Sequence, residues 1–215
     1  MGRWEPDARG RLERAALDLY VERGFERTSV AEIAERAGLT ERTFFRHFAD
    51  KREVLFAGSA LLQEGMVDAA TRAPGAATPM EAVSAALAAA AAVLQERAPL
   101  ARRRQSVIDA NAELQERELI KLARLAAALA GALRQRGVDE VPASLAAEAG
   151  IAVFKIAFRR WVDQPDQPER ADGPDQPERA DGSDGPESGD WPGVKDLSQL
   201  VEESLAGLRA VTAGA

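Results

Sequence analysis

The sequence predicts an all-α fold of about nine helices, and three observations support this prediction. Apolar residues recur at spacings of three and four along nearly the whole chain, which is the period of an amphipathic helix. The alternation of β-branched and polar residues that would indicate strands is absent. Capping residues, glycines and prolines stand between the apolar stretches, where helices should begin and end.

Four of these helices are expected in the first third of the chain. The first should stop at Gly24, because glycine is the usual residue just past a helix end. Ser29 with Glu32 forms a capping box for the second helix, and Thr40 caps the third. Asp50 should cap a long fourth helix. The four helices are expected at residues 7–23, 30–37, 41–48 and 51–71.

Five further helices follow, and the first of them is strongly alanine-rich, which predicts close helix approach and room for a cavity. They are expected at residues 79–97, 100–110, 112–136, 144–163 and 196–211. This pattern indicates an N-terminal domain at residues 1–55 and a second helical domain built from residues 56–163 and 194–215.

Residues 164–193 separate the last two helices and have a different composition. The nonapeptide PDQPERADG occurs twice in tandem, and residues 163–190 contain ten acidic and two basic side chains. Such a segment cannot bury a core, so it predicts a disordered acidic loop. An expanded linker is the simpler interpretation, and a regulatory or partner-binding tail is the alternative. Without this loop the net charge of −7 disappears, so the rest of the chain would not repel a nucleic acid.

The second and third helices, with the glycine-containing turn between them, have the geometry of a helix-turn-helix. On a helical wheel of the third helix, Phe44 and Phe48 share one face, which should be core. The rest of the wheel offers polar and aromatic groups, with two arginines at its centre: Arg42, Thr43, Phe45, Arg46 and His47. An α-helix fits the major groove, where arginine can bond guanine, so Arg42 and Arg46 are the best candidates for base contacts. A purely structural helical hairpin is the alternative.

Three charged or titratable residues lie on or near this helix. Lys51 stands at the expected start of the fourth helix, where a phosphate would be favoured by free N–H groups. Glu41 would either accept a hydrogen bond from cytosine or face solvent. His47 is the only histidine, so it cannot form a metal site by itself, and DNA contact or plain packing remains for it.

Residues 28–51 closely resemble the signature of the TetR (tetracycline-repressor) family of transcriptional regulators, and the specific match covers about residues 9–56. The resemblance implies DNA contacts at Thr43, Phe45, His47 and Lys51, and the caps Ser29 and Thr40 are expected beside them. Many members have tyrosine where this chain has Phe45, so a hydroxyl bond to phosphate is not available here. The family plan also implies a C-terminal domain that binds a small-molecule effector and pairs its last two helices with a partner subunit.

Two apolar stripes in the last two helices need burial, either in the monomer core or in a homodimer. The family plan favours the dimer. The expected interface consists of Phe154, Phe158, Trp161, Leu197, Val201, Leu205 and Leu208. A dimer would also place two recognition helices about 34 Å apart, which matches successive major grooves of a near-palindromic site.

The expected function is therefore that of a repressor, bound to double-stranded operator DNA and released by an unidentified small molecule. A transcriptional activator on the same scaffold is one alternative. An all-helical small-molecule-binding protein or enzyme with a vestigial helix-turn-helix is the other. No catalytic residues, cofactor or metal site are expected, since the chain has no cysteine, one histidine and no Gly-rich phosphate loop.

The absence of about 18 consecutive uncharged apolar residues predicts no membrane span, and a cytoplasmic location is expected. The basic run Arg102–Arg104 is expected to be solvated, with an anionic effector site as the alternative. Sensing should act through the long helix at residues 51–71, by changing the separation of the two recognition helices.

Overall fold

The computed structural model describes residues 7–164 and 194–214, and every regular element in these two ranges is helical. The all-α prediction is therefore confirmed. The helices are α1 (Ala8–Arg23), α2 (Val30–Arg36), α3 (Glu41–His47), a 3₁₀ helix (Glu53–Phe56), α4 (Ser59–Arg72), α5 (Pro79–Gln95), α6 (Ala98–Asp109), α7 (Ala112–Gln135), α8 (Glu140–Val162) and α9 (Leu197–Ala213). Nearly all of the predicted acidic loop, including both copies of the nonapeptide, lies outside the described residues.

The first three helices and the 3₁₀ helix pack around one apolar core that includes Leu12, Ile33 and Phe44. Three side chains from later elements complete this core: Val107, Ile108 and Leu114. The N-terminal domain is therefore joined to α6 and α7 by continuous apolar packing, and the boundary expected at residue 55 falls inside the 3₁₀ helix.

The long helix predicted at residues 51–71 is wrong in its first part, because α4 begins only at Ser59. The carbonyl of Leu55, which would accept from the N–H of residue 59 in an α-helix, instead accepts from the Arg104 guanidinium at 2.6 Å. The Ala57 carbonyl likewise accepts from Arg9 at 2.6 Å. A turn and the 3₁₀ helix consequently occupy residues 51–58, and no continuous helix connects the two domains.

The second core lies between α4, α5, α7, α8 and α9, with the alanine-rich helix α5 in contact with both α8 and α9. Its buried alanines allow the close approach that the sequence predicts. Helices α6 and α8 begin a few residues earlier than expected, with Pro99 and Pro142 in their first turns. Proline is tolerated there because the first N–H groups of a helix have no intrahelical partner.

Helix α8 is the one helix in the described ranges whose length and apolar composition would allow it to cross a membrane. It packs against α5, α7 and α9, and one long face of it is buried in the second core. This packing is that of a core helix.

Candidate nucleic-acid interface

The helix-turn-helix begins with a capping box, as the sequence predicts. The Ser29 hydroxyl accepts from the Glu32 N–H at 3.3 Å, and the Glu32 carboxylate accepts from the Ser29 N–H at 2.9 Å. Hydrogen bonds from the backbone and hydroxyl of Ser29 hold the pKa of Glu32 below its usual value. In the turn, Gly38 has a φ of 66°, which a residue with a side chain rarely adopts. The cap and the turn together fix the angle between α2 and α3.

Helix α3 is anchored by its inner face. Phe44 is fully buried and its ring centroid lies 5.5 Å from that of Phe48. Thr40 caps the helix by accepting from the Thr43 N–H at 3.2 Å, and the two hydroxyl groups lie 3.1 Å apart. Both anchors hold α3 rigidly against α1 and α2, so its outer face has a defined orientation.

The outer face of α3, here called the reading face, has Arg42, Phe45 and Arg46 as its exposed members. Phe45 is 55% exposed, and its ring lies edge-on to that of Phe44 with 5.5 Å between the two centroids. Neither arginine forms an ion pair or hydrogen bond with any residue that the structure describes. Thr43 and His47 are half-buried at the edges of this face. The reading face thus offers two free guanidinium groups beside an exposed aromatic ring.

The two capping residues expected to contact DNA have structural partners. The Ser29 hydroxyl also donates to the Glu32 carboxylate at 2.8 Å, and the Thr40 hydroxyl is shared with Thr43. His47 is half-buried, and its Nε2 atom is buried without a hydrogen-bond partner among the described residues. DNA contacts by these three residues stay predictions.

The ammonium group of Lys51 has partners within the N-terminal domain. Its Nζ atom donates to the carbonyls of Phe25, Glu26 and Thr28 at 2.9, 3.4 and 3.1 Å, and it lies 4.3 Å from the centre of the Phe25 ring. An ammonium group has three N–H donors, so all of them are used. In the structure this residue ties the loop after α1 to the segment after α3, and its phosphate contact stays a prediction.

Arg52, the neighbouring basic residue, is also occupied. Its guanidinium donates to Asp50 at 2.6 Å and to Glu113 on α7 at 2.5 Å. The carboxylates of Asp50 and Glu113 raise the pKa of Arg52 above its usual value. Arg52 thus links the segment after α3 to α7.

A comparison with protein-family models matches residues 13–57 to the family described as bacterial regulatory proteins, tetR family. Residues 13–57 therefore match the N-terminal domain of the tetR family. The matched range contains α1, α2, α3 and the 3₁₀ helix, including the whole reading face. The resemblance noted in the sequence is therefore confirmed for the N-terminal domain.

One curated relative and two solved structures extend this comparison. The chain is similar to the HTH-type transcriptional regulator TcmR of Streptomyces glaucescens, with 40% identity over 81 residues. This match spans 38% of the chain and only 36% of TcmR, so the curated relative is matched over about a third of its length.

The solved structures share the fold of nearly the whole chain. The regulator from Syntrophomonas wolfei has a TM-score of 0.62 at 16% identity, over 96% of this chain and 95% of that one. SmeT of Stenotrophomonas maltophilia has a TM-score of 0.56 at 20% identity, over 94% and 89% of the two chains. The fold similarity to both structures thus includes the C-terminal helices of this chain.

Most of the residues expected to form a dimer interface lie inside the chain's own second core. Five of the seven are buried: Phe154, Trp161, Leu197, Val201 and Leu205. They belong to the apolar core formed by neighbouring helices of the same chain. Phe158 and Leu208 are only half-buried. The part of all seven residues in a dimer interface stays a prediction.

A different apolar stripe of α8 faces outward. Val141, Leu145, Ala152 and Ile156 are all exposed, and their spacings of 4, 7 and 4 place them on one side of the helix. Leu145 is 65% exposed. Such a stripe on a core helix is an apolar surface that a second chain could cover. We call these four residues the outer stripe.

The outer stripe continues toward α9. The Arg160 guanidinium donates to the Glu203 carboxylate at 2.9 Å, which shows where the two helices lie side by side. Small exposed residues follow on α9 at Ala206 and Ala210. Small side chains allow close approach of another helix, so α8 and α9 together offer a surface for helix packing.

Two hollows within the described ranges are open grooves at the surface. One, of about 460 Å³, lies between the end of α1 and the end of α6, and Tyr20, Phe25 and Asn111 are among its lining residues. The other, of about 270 Å³, lies between α7 and α8. Neither groove is an internal cavity beside the alanine-rich helix α5, where the sequence suggested one.

Proposed function

We propose that this chain is a homodimeric transcriptional repressor that binds a near-palindromic double-stranded DNA operator and is released from it by a small molecule. The observation that carries the proposal is the reading face of α3, where Phe45 is exposed and Arg42 and Arg46 have no ion pair or hydrogen bond within the described part of the chain. Arginine can form two bonds to guanine in the major groove, and an apolar side chain can contact a thymine methyl group.

The decisive experiment is selection of bound sequences from random duplex DNA by the full chain, followed by affinity measurements with the recovered duplex. Arg42→Ala and Arg46→Ala should each weaken binding to that duplex by about 1 to 3 kcal/mol and relax specificity at one base pair. Binding to random duplexes should change little. Arg72→Ala is the matched control, because this substitution removes the same charge at a site away from the reading face. Arg72 lies on α4 and is 78% exposed.

Two results would overturn this assignment. If selection recovers no preferred sequence at low salt, the chain is not a sequence-specific DNA-binding protein. If Arg42→Ala and Arg46→Ala weaken selected and random duplexes equally, these side chains contact phosphates and do not select bases. Recovered sequences with two inverted half-sites would support binding as a dimer.

The outer stripe of α8 supports the homodimer. Two copies of this stripe can cover each other around a twofold axis, which is the usual symmetry of a soluble homodimer. The apolar side chains of Leu145 and Ile156 would then leave water. A dimer of this kind also presents two reading faces to one palindromic site, in the cytoplasm where the chromosome of a bacterium lies.

Repression and release form the finer part of the proposal. A dimer bound over a promoter can block polymerase without any further contact, whereas activation needs a surface that binds polymerase. A reporter gene with the selected operator at the promoter decides between them, because an activator would raise its transcription. SmeT, which shares the fold, has a solved structure with triclosan, and this supports release by a small molecule. Selection repeated with metabolite pools would identify the effector as the component that abolishes recovery.

A further inference from the structure

The N-terminal domain is tied to α6 and α7 by a set of charged contacts, here called the junction contacts. They are Arg103 with Asp18 at 2.6 Å, Arg104 with the Leu55 carbonyl at 2.6 Å, Arg52 with Glu113 at 2.5 Å, and Glu53 with both Arg117 at 2.6 Å and Lys121 at 2.9 Å. Two residues of the basic run that the sequence suggested to be solvated, Arg103 and Arg104, belong to this set.

These contacts matter because the connecting chain does not fix the orientation of the N-terminal domain relative to α6 and α7. The connection at residues 57–58 is a turn between the 3₁₀ helix and α4. Apolar packing of Val107, Ile108 and Leu114 holds the N-terminal domain against the body, but such packing has little directional preference. Charged hydrogen bonds have a preferred length and angle, so they restrict rotation at the junction.

Glu53 occupies the centre of the junction contacts. Its carboxylate is only 20% exposed, and each of its two oxygens accepts from a different cation on α7. Glu53 stands at the first position of the 3₁₀ helix, whose next three side chains are buried in the core of the N-terminal domain. A movement of α7 would therefore be transmitted to this domain through Glu53.

We propose that Glu53, held by Arg117 and Lys121, is a positioning residue that sets the angle of the N-terminal domain and thereby the operator half-site spacing that the dimer accepts. This inference rests on the proposed function. In a dimer, the same angle in both subunits determines the separation of the two α3 helices. A fixed angle restricts binding to one spacing, and a loosened angle permits neighbouring spacings at a lower penalty.

The test measures binding of the full-length dimer to the selected operator and to versions with one or two base pairs inserted or deleted between the half-sites. Glu53→Gln keeps the size of the side chain and removes its charge. The preference for the native spacing should fall about three- to fivefold, the effect expected from losing one partly exposed ion pair. Affinity for a single half-site should stay unchanged, because the reading face is untouched.

Glu116→Gln is the matched control, since Glu116 is exposed on α7, forms no ion pair in the described part of the chain, and changes the net charge equally. An unchanged spacing preference in Glu53→Gln would overturn the inference, and so would an equal loss in Glu116→Gln. If Glu53→Gln does not fold, the double variant Arg117→Gln/Lys121→Gln removes the same contact from the other side. Failure of both to fold would show a purely structural role, which also overturns it. Absence of any operator binding by the wild type would instead overturn the proposed function.

Discussion

Lys51 connects two segments of the N-terminal domain through hydrogen bonds. Helix α1 ends at Arg23, and the chain after it presents the carbonyls of Phe25, Glu26 and Thr28 to a single ammonium group. These carbonyls lie close to the core and need donors. The contact with the Phe25 ring adds a cation–π interaction to the three hydrogen bonds.

Replacing Lys51 with methionine should therefore destabilise the domain. Lys51→Met keeps the apolar stem but removes all three donors, and the free energy of unfolding should fall by about 2 kcal/mol. Urea denaturation followed by circular dichroism measures this change. The control is Arg42→Met, which removes one positive charge from the same domain at a site without a partner and should change stability by less than about 0.5 kcal/mol. Equal stabilities of the two variants would refute the stabilising role of Lys51.

The reading face and Lys51 differ in how far the sequence alone reveals them. The division of α3 into an inner face with Phe44 and an outer face with Arg42 follows from helical periodicity, a purely local property. The partners of Lys51 are backbone carbonyls 23 to 26 residues earlier in the chain. Backbone carbonyls have no side-chain signature, so only the folded structure identifies this contact.

At the scale of elements, α5 and α8 approach each other at Gly150. A Cβ atom on this residue would overlap the Cγ1 atom of Val83. Val83 is fully buried and branched at Cβ, so its side chain has little freedom to move. The contact between these two helices therefore depends on the missing side chain of Gly150.

We expect Gly150→Ala to lower the free energy of unfolding by about 1 to 3 kcal/mol, because it overpacks the second core. Gly65→Ala is a useful comparison: Gly65 is exposed in α4 with nothing near its Cβ position, and alanine should raise stability by about 0.5 to 1 kcal/mol. Denaturant titration of both variants gives the sign directly. A stabilising Gly150→Ala would show that α5 and α8 are less closely packed than described here.

The Glu53 carboxyl in the 3₁₀ helix should make the free energy of unfolding depend on pH. Burial raises the pKa of Glu53, but Lys121 and Arg117 lower it further, so the net pKa lies below the ordinary value of 4.5. A carboxyl whose pKa is lower in the folded state stabilises the fold above its unfolded pKa, and this contribution is lost as pH falls through the folded value. Unfolding measured at several pH values from about 7 to 3 should show this loss below about 4.5. In Glu53→Gln the decline should be shallower; an identical profile would contradict the assignment.

The helices themselves were largely predictable, because periodicity and caps are encoded locally. The start of α4 was not. The start of α4 depends on Arg104, which lies 49 residues after Leu55 in the chain. The Arg104 guanidinium donates to the Leu55 carbonyl and so removes that carbonyl from the helical hydrogen-bond pattern. Without that contact the capping signal of Asp50 and the apolar residues after it suit an α-helix equally well. Element boundaries at domain junctions are therefore decided by long-range contacts.

For the whole molecule, periodicity shows that an apolar stripe needs burial but not which surface buries it. The stripe with Phe154 and Trp161 is buried in the monomer core, whereas Leu145 and Ile156 of the same helix are exposed and could contact a partner. The exposed stripe is harder to recognise in the sequence, because the charged residues Glu148 and Lys155 lie beside its apolar residues. The proposal for the interface therefore depends on the packing of α8 against its neighbours.

Leu145→Arg should convert the proposed dimer into monomers, because a guanidinium at the centre of a twofold interface would face its own symmetry mate. Sedimentation velocity measures the change, and circular dichroism should show an unchanged helix content. Leu61→Arg is the matched control, since Leu61 is 73% exposed on α4, outside the outer stripe. The Leu145→Arg monomer should bind the full operator much more weakly than the wild type but retain its affinity for a single half-site, because the two half-sites would no longer be bound by linked domains. A Leu145→Arg protein that remains dimeric, or a Leu61→Arg protein that dissociates, would place the interface on another face of the C-terminal helices.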